Sequence, residues 1–187
     1  MIIVGGETMH QDVKKVLISH EEIDEKCQEL GQVITEYYKD REDAPILVAL
    51  LKGSVPFLAA LIKYIDLDIE YDFMDVSSYE GTESVRDVRI NKDLNRSIKG
   101  KDILLVEDIV DTGHTINEIM RLLENKGANE IKVVSLLDKP SRREVDVEAD
   151  FVGFVIPNEF VIGFGLDFNE KYRNLPYVGV LKDEFYQ

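Results

Sequence analysis

The segment Ile103-Leu104-Leu105-Val106-Glu107-Asp108-Ile109-Val110-Asp111-Thr112-Gly113-His114-Thr115 puts reactive residue types at the end of an apolar run. Four apolar residues lead straight into the adjacent acids Glu107 and Asp108. Neighbouring carboxylates repel each other and resist burial, so they need hydroxyl, metal or cationic partners. Asp111 adds a third acid. Thr112, Gly113 and Thr115 then offer hydroxyls and backbone N–H groups ahead of a helix, a cradle for phosphate helped by the helix dipole. A plainer reading stands beside this one: the loop caps the helix, with Thr115 and Glu118 as a capping box. Capping alone leaves the paired acids unexplained. The Gly-x4-Gly-Lys-Ser/Thr pattern of a Walker loop is absent.

The surrounding elements alternate. Glu21–Tyr38 is expected to be an amphipathic helix. Ile23, Cys27, Leu30, Ile34 and Tyr37 line one face, and Ser19 with Glu22 forms a capping box. Cys27 on that stripe reads as core filling. Ile46–Leu51, Ile103–Val106 and Ile131–Leu137 are short and almost wholly apolar, as strands buried on both faces are. Ile69–Val76 alternates like a strand, and Phe151–Ile156 and Tyr177–Leu181 are late strands. Val55–Ile65 and Ile116–Asn125 read as helices between them. Apolar strands separated by helices imply a parallel sheet covered on both sides, with ligands at the strand carboxyl ends.

Composition narrows the function classes. In 187 residues, 22 Lys+Arg stand against 37 Asp+Glu, a net charge of −15. That argues against a general binder of nucleic acid or anionic membrane. One cysteine excludes an intramolecular disulfide and agrees with a reducing compartment. Met1-Ile2-Ile3-Val4 is apolar but follows no basic stretch and ends at Gly5-Gly6, so no export signal is expected. The longest apolar run, Val55–Ile62, falls well short of the ~20 residues of a bilayer span. The expectation is a soluble cytoplasmic protein.

Val106-Glu107-Asp108-Ile109-Val110-Asp111-Thr112-Gly113 resembles the phosphoribosyl-pyrophosphate motif of the type I phosphoribosyltransferases. Further blocks resemble the bacterial hypoxanthine-guanine members of that family. They are Leu51-Lys52-Gly53-Ser54, Ser78-Tyr79, Leu137-Asp138-Lys139-Pro140-Ser141-Arg142-Arg143, Phe151-Val152-Gly153-Phe154, Ile156-Pro157-Asn158-Glu159-Phe160-Val161, Gly165-Leu166-Asp167-Phe168 and Tyr172-Arg173-Asn174-Leu175-Pro176. The blocks occur in order over roughly Lys52 to Leu181.

The resemblance implies a role for each block. Glu107 and Asp108 face the ribose hydroxyls of phosphoribosyl pyrophosphate, directly or through Mg²⁺, for which hard oxygen ligands are suited. Asp111 is the general base near purine N7. Thr112, Gly113 and Thr115 hold the 5′-phosphate, with the backbone N–H of His114 contributing more than its ring. Lys52-Gly53 is a pyrophosphate-binding turn, often with a non-proline cis bond. The plain alternative is a strand–helix turn in which Gly53 supplies unusual dihedrals. Lys139 donates to purine O6, which favours 6-oxopurines over adenine. Phe160 stacks on the base and Val161 offers backbone groups to its edge. Asp167 binds Mg²⁺ on the pyrophosphate side, and Arg173 contacts pyrophosphate. Ser78-Tyr79 opens a polar segment, Ser77–Arg86, that reads as a surface loop or as a lid excluding water. Arg142 and Arg143 read as solvated or as oligomer contacts.

The implied fold is α/β: a Rossmann-like core with a parallel sheet of about five strands between helices, carrying a small hood. The core spans roughly 20–145 and 177–182, and the hood the N-terminal piece and roughly 146–176, within a single domain. The implied activity is purine salvage, making IMP or GMP and pyrophosphate from hypoxanthine or guanine and phosphoribosyl pyrophosphate, with Mg²⁺ and in a homodimer or homotetramer. A xanthine-preferring homologue, a non-catalytic regulator binding RNA or a transcription partner, and a simple phosphate-binding module are the alternatives. The acidic charge weakens the RNA-binding version. The phosphate module would not need Lys139, Phe160 and Asp167 together.

Overall fold

A computed structural model of the chain describes residues 2–4, 7–78 and 88–186. In chain order the elements are β1 (Ile2–Val4), β2 (Glu7–Met9), β3 (Val13–Ile18), α1 (His20–Tyr38), β4 (Ile46–Leu51), α2 (Val55–Leu61), β5 (Glu70–Ser78), β6 (Val88–Lys92), β7 (Ile103–Val110), α3 (His114–Asn125), β8 (Ile131–Asp138), β9 (Phe151–Val155), β10 (Val161–Ile162) and β11 (Val178–Leu181). Short 3-10 turns follow α2, β8 and β11.

The large sheet has six strands in the order β6-β5-β4-β7-β8-β9. Five run parallel, and β6 is antiparallel on its edge beside β5. Among the parallel strands the second in sequence lies outside the first, and the third lies on the other side of the first. The order therefore reverses between β4 and β7. That crevice is where an open α/β sheet leaves room for a ligand. Leu47, Val48 and Ala49 of β4, and Leu104, Leu105 and Val106 of β7, have no exposed surface. Helices cover both faces, which explains why these runs are apolar rather than alternating.

One apolar core unites α1 and α2 with one face of the sheet, and a second gathers α3 on the other. In α1, Ser19 and Glu22 form the expected capping box. The Ser19 N–H donates to Glu22 Oε2 at 2.8 Å, and the Glu22 N–H donates to Ser19 Oγ at 3.2 Å. The buried stripe runs through Ile23, Cys27, Leu30, Ile34 and then Tyr38, not Tyr37, which is exposed. After Ile34 the next full turn of a 3.6-residue helix falls four residues on. Burial pushes the Cys27 thiol up to about 12, so it stays protonated core filling.

The small sheet, β10-β11-β3, is the hood. Its composition moves the boundaries read from the sequence. Phe151–Val155, placed in the hood, completes the large sheet beside β8. Val178–Leu181, placed in the core, pairs with β3 and β10 in the hood. Ser78 ends β5, while Tyr79 and the rest of the segment to Arg86 lie outside the described residues. Among the described residues no helix is long and apolar enough to cross a membrane.

Candidate active site

Glu107 and Asp108 are the last polar step of β7 before it turns. Consecutive strand residues point to opposite faces. Burial pushes the Glu107 carboxyl well above the usual carboxylate range, and the Asp108 charge adds to this. Burial raises Asp108 to about 6. The Ile109 N–H, which donates to Asp108 Oδ1 at 2.8 Å, and the charge of Arg173 oppose that rise, whereas the charge of Asp167 supports it.

β4 runs beside β7 into Leu51-Lys52-Gly53, and the Leu51–Lys52 peptide is cis. Gly53 does not lie in the left-handed region, so it is not there for its dihedrals. It is there for space. A Cβ on Gly53 would stand 2.7 Å from Asp108 Cγ, with Oδ2 closer still. On the other side Gly165, at φ 101°, packs against the Gly53 carbonyl so tightly that a Cβ there would stand 2.9 Å from the carbonyl carbon. The turn is therefore wedged between the β7 carboxylate and the Gly165 loop.

Gly113, at φ 87°, is the N-cap of α3, and no side chain caps the helix. The expected Thr115–Glu118 capping box is not formed, because the helix already starts at His114 and Thr115 sits inside its first turn. The left-handed turn at Gly113 instead leaves the first N–H groups of α3 at the mouth of the crevice. The His114 ring turns away, with Nε2 2.9 Å from Glu144 Oε2.

Two adjoining cavities open over these elements. One, of 380 Å³, is lined by Lys52, Gly53, Glu107, Asp108, Thr112, Gly113, Thr115 and Arg173. The other, of 610 Å³, is lined by Lys139, Phe160 and Val161, together with Lys14, Arg142, Asp183 and Tyr186. Ile109 and Asp111 line both. The sequence-derived residues thus separate into a polar cavity at the strand ends and a mixed one under the hood, with Asp111 at their junction. Lys139 is buried, and its Nζ donates to the Glu159 carbonyl at 2.7 Å. Burial pulls its ammonium below the ordinary value, and the charge of Asp111 partly offsets this. Lys139 is not paired with Asp138, which Arg143 engages instead.

At the far rim, Lys52 Nζ lies 2.9 Å from Glu170 Oε2. Arg173 pairs with Asp167 at 2.9 Å and donates to the Gly165 carbonyl at 2.8 Å. Its Nε is buried without a hydrogen-bond partner among the described residues. Asp167 lines neither cavity. The three carboxylates expected to hold metal are not gathered: among the described residues no group of three His, Cys, Asp or Glu is placed to hold an ion. The donor set nevertheless fits Mg²⁺, which is usually held by one or two carboxylates together with substrate phosphates. Glu107 and Asp108, desolvated and mutually repelling, would both gain from a divalent cation.

Arg143 is half-buried, and Arg142, although exposed, reaches Asp111. Arg142 Nε lies 3.0 Å from Asp111 Oδ1, and Arg143 donates to the Asp111 carbonyl and to Asp138. Their spacing of three and four residues from Lys139 was the available signal, since a 3-10 turn at Pro140–Arg142 folds them back over Asp111. Lys14, Asp183 and Tyr186 carried no signal, because they reach the cavity only through the pairing of β3 with β11.

The phosphoribosyl transferase domain family matches residues 19–169. The chain is 54% identical to the hypoxanthine-guanine phosphoribosyltransferase of Lactococcus lactis, over 96% of this chain and 97% of that protein. It is 52% identical to the bifunctional protein TilS/HprT of Listeria monocytogenes over 98% of its length, and spans about 28% of that longer relative. Among solved structures, a hypoxanthine phosphoribosyltransferase from Staphylococcus aureus superposes with a TM-score of 0.90 at 49% identity, covering 98% of this chain and 100% of that one. The Trypanosoma cruzi hypoxanthine phosphoribosyltransferase in complex with the product IMP gives 0.91 at 37% identity, covering 96% and 100%.

Proposed function

The chain belongs to the phosphoribosyl transferase family, and on that premise we propose that it is a hypoxanthine-guanine phosphoribosyltransferase of purine salvage. It would move the 5-phosphoribosyl group from phosphoribosyl pyrophosphate to hypoxanthine or guanine. The bond from ribose C1′ to the pyrophosphate oxygen breaks, a bond from C1′ to a purine ring nitrogen forms with inversion, and IMP or GMP leaves with pyrophosphate. The observation that carries this reading is the pair of cavities meeting at Asp111. A two-substrate transfer needs two sites with one junction, and a simple phosphate-binding module needs only the first.

In this reading Thr112, Gly113 and Thr115 take the 5′-phosphate at the N-terminus of α3, with the N–H of His114 beside them. Glu107 and Asp108 accept from the ribose hydroxyls. Lys52 and Arg173 receive the pyrophosphate, exchanging their contacts with Glu170 and Asp167 for phosphate oxygens. Glu107 and Asp108, and Asp167 on the pyrophosphate side, would hold Mg²⁺, which would neutralise charge on the leaving group. Lys139 keeps one donor on the Glu159 carbonyl and turns another to purine O6. An ammonium has no acceptor, so it cannot pair with the exocyclic amine of adenine. Phe160 stacks on the base and Val161 borders its edge. Asp111 takes or shares the N7 proton and stabilises positive charge as it develops on the sugar. The same reading gives a cytoplasmic enzyme working as a dimer or tetramer.

The test is direct. The protein is incubated with Mg²⁺, phosphoribosyl pyrophosphate and, separately, hypoxanthine, guanine, xanthine and adenine, and nucleotide and pyrophosphate are followed. Turnover with hypoxanthine and guanine but not adenine is expected. No turnover with either of the first two would refute the proposal.

A further inference from the structure

One wall of the base cavity is built by the residues that follow β11. The Leu181 N–H donates to the Phe160 carbonyl at 2.9 Å, so the chain leaves the hood sheet beside Phe160. After the 3-10 turn Asp183–Phe185, the Tyr186 ring lies nearly parallel to that of Phe160, with centroids 5.0 Å apart and planes 23° apart. The Phe168 ring meets Phe160 edge-on at 5.5 Å and 89°. Phe160 itself is 37% exposed and lies outside the apolar cores, so these two rings are what set its orientation. Tyr186 is itself held. Its hydroxyl donates to Asp183 Oδ1 at 2.9 Å, and Lys14 of β3 donates to Asp183 Oδ2 at 3.0 Å.

We propose that Tyr186 is a positioning residue for the purine base. Stacked on Phe160 and anchored through Asp183 to Lys14, it holds the Phe160 ring in the orientation that receives the base. An exposed phenylalanine without this support loses rotamer freedom only when the base binds, and that ordering cost is taken from affinity. The inference rests on the function proposed above, because it needs Phe160 to be the base-stacking ring.

An aromatic pair of this geometry corresponds to roughly a 2- to 10-fold change in an equilibrium constant. Tyr186→Ala, Tyr186→Phe and the unaltered protein are compared for the KM of hypoxanthine and guanine, the KM of phosphoribosyl pyrophosphate, and equilibrium binding of GMP and of pyrophosphate. Tyr186→Ala is expected to raise the KM of both purines by about 3- to 10-fold and to weaken GMP by a similar factor, leaving phosphoribosyl pyrophosphate and pyrophosphate as internal references. Tyr186→Phe keeps the ring and is expected to recover most of the loss. An unchanged or lowered purine KM in Tyr186→Ala overturns the proposal, the lowered value meaning that the tyrosine occupies the place of the base. Equal losses for both substrates overturn it as a general loosening. A Tyr186→Phe variant as impaired as Tyr186→Ala overturns the stacking role. If the unaltered protein makes no nucleotide, the function is wrong; if it turns over and Tyr186→Ala matches it, only this inference is wrong.

Discussion

Gly53→Ala tests whether the turn after β4 and the carboxylate of β7 form one rigid unit. The added Cβ would stand 2.7 Å from Asp108 Cγ, whereas two carbons at rest sit about 3.5–4.0 Å apart. Relief therefore requires a displacement of about 1 Å. The turn cannot retreat, because the Gly165 backbone already presses on the Gly53 carbonyl from the opposite side. The Asp108 carboxylate, the free end of a short side chain, has to swing away. A displacement of that size in a positioning group costs on the order of 100-fold in rate, or about 2.7 kcal/mol of transition-state stabilisation. The fold loses less, about 1 kcal/mol, because the clash is met by a side-chain rotation rather than by backbone. For a chain of this length that is a drop of about 2–4 °C in Tm. Steady-state kinetics with phosphoribosyl pyrophosphate varied, read beside a thermal melt, separate the two effects. A Gly53→Ala enzyme with kcat/KM within threefold of the unaltered protein would show that Asp108 is not poised against the turn. A collapse of Tm by tens of degrees would show that the clash falls on the backbone, contrary to the packing described.

Asp108→Asn carries a signed pH dependence. Burial raises its carboxyl from an ordinary 3.8 to about 6, so between those values the folded protein keeps a proton that the unfolded chain has released, and stability falls as pH rises through that window. The substitution is expected to stabilise the metal-free protein at pH 7.5 by up to about 3 kcal/mol and to have little effect at pH 4; melts in chelator that show the same gain at both pH values would contradict the assignment. Asp111→Asn is expected to lower kcat by about 10²- to 10⁴-fold while the Kd for phosphoribosyl pyrophosphate stays within a few-fold. Equal losses in both would make it a binding residue. Lys139→Met removes a charged donor worth about 1.5–3 kcal/mol, so kcat/KM for hypoxanthine and guanine is expected to fall by about 10- to 100-fold and the margin over adenine to shrink. A retained 6-oxopurine preference would move that selectivity elsewhere.

What the sequence alone determined is local. The uninterrupted apolar runs of Ile46–Leu51 and Ile103–Val106 specify strands covered on both faces, because no other environment would tolerate them. Ser19 and Glu22 specify where α1 begins, since the capping bonds span only three residues. The acids and threonines from Glu107 to Thr115 specify a polar site at a strand end, because paired carboxylates there are too costly to be idle. The tertiary structure decided what depends on partners distant in the chain. Phe151–Val155 and Val178–Leu181 look alike as short apolar strands, and only their pairing puts one in the core sheet and the other in the hood. Arg142 reads as a surface cation until the turn after β8 lays it on Asp111. Gly53 reads as a turn-former until Asp108 and Gly165 are seen to leave no room for a Cβ. Tyr186 shows no sign of a role until the pairing of β11 carries it to Phe160. The physical reason is common to all four. Periodicity and composition record how much water each residue avoids and how its own backbone bends, whereas the identity of the group it meets is set by strand pairing and close packing between segments far apart in the chain.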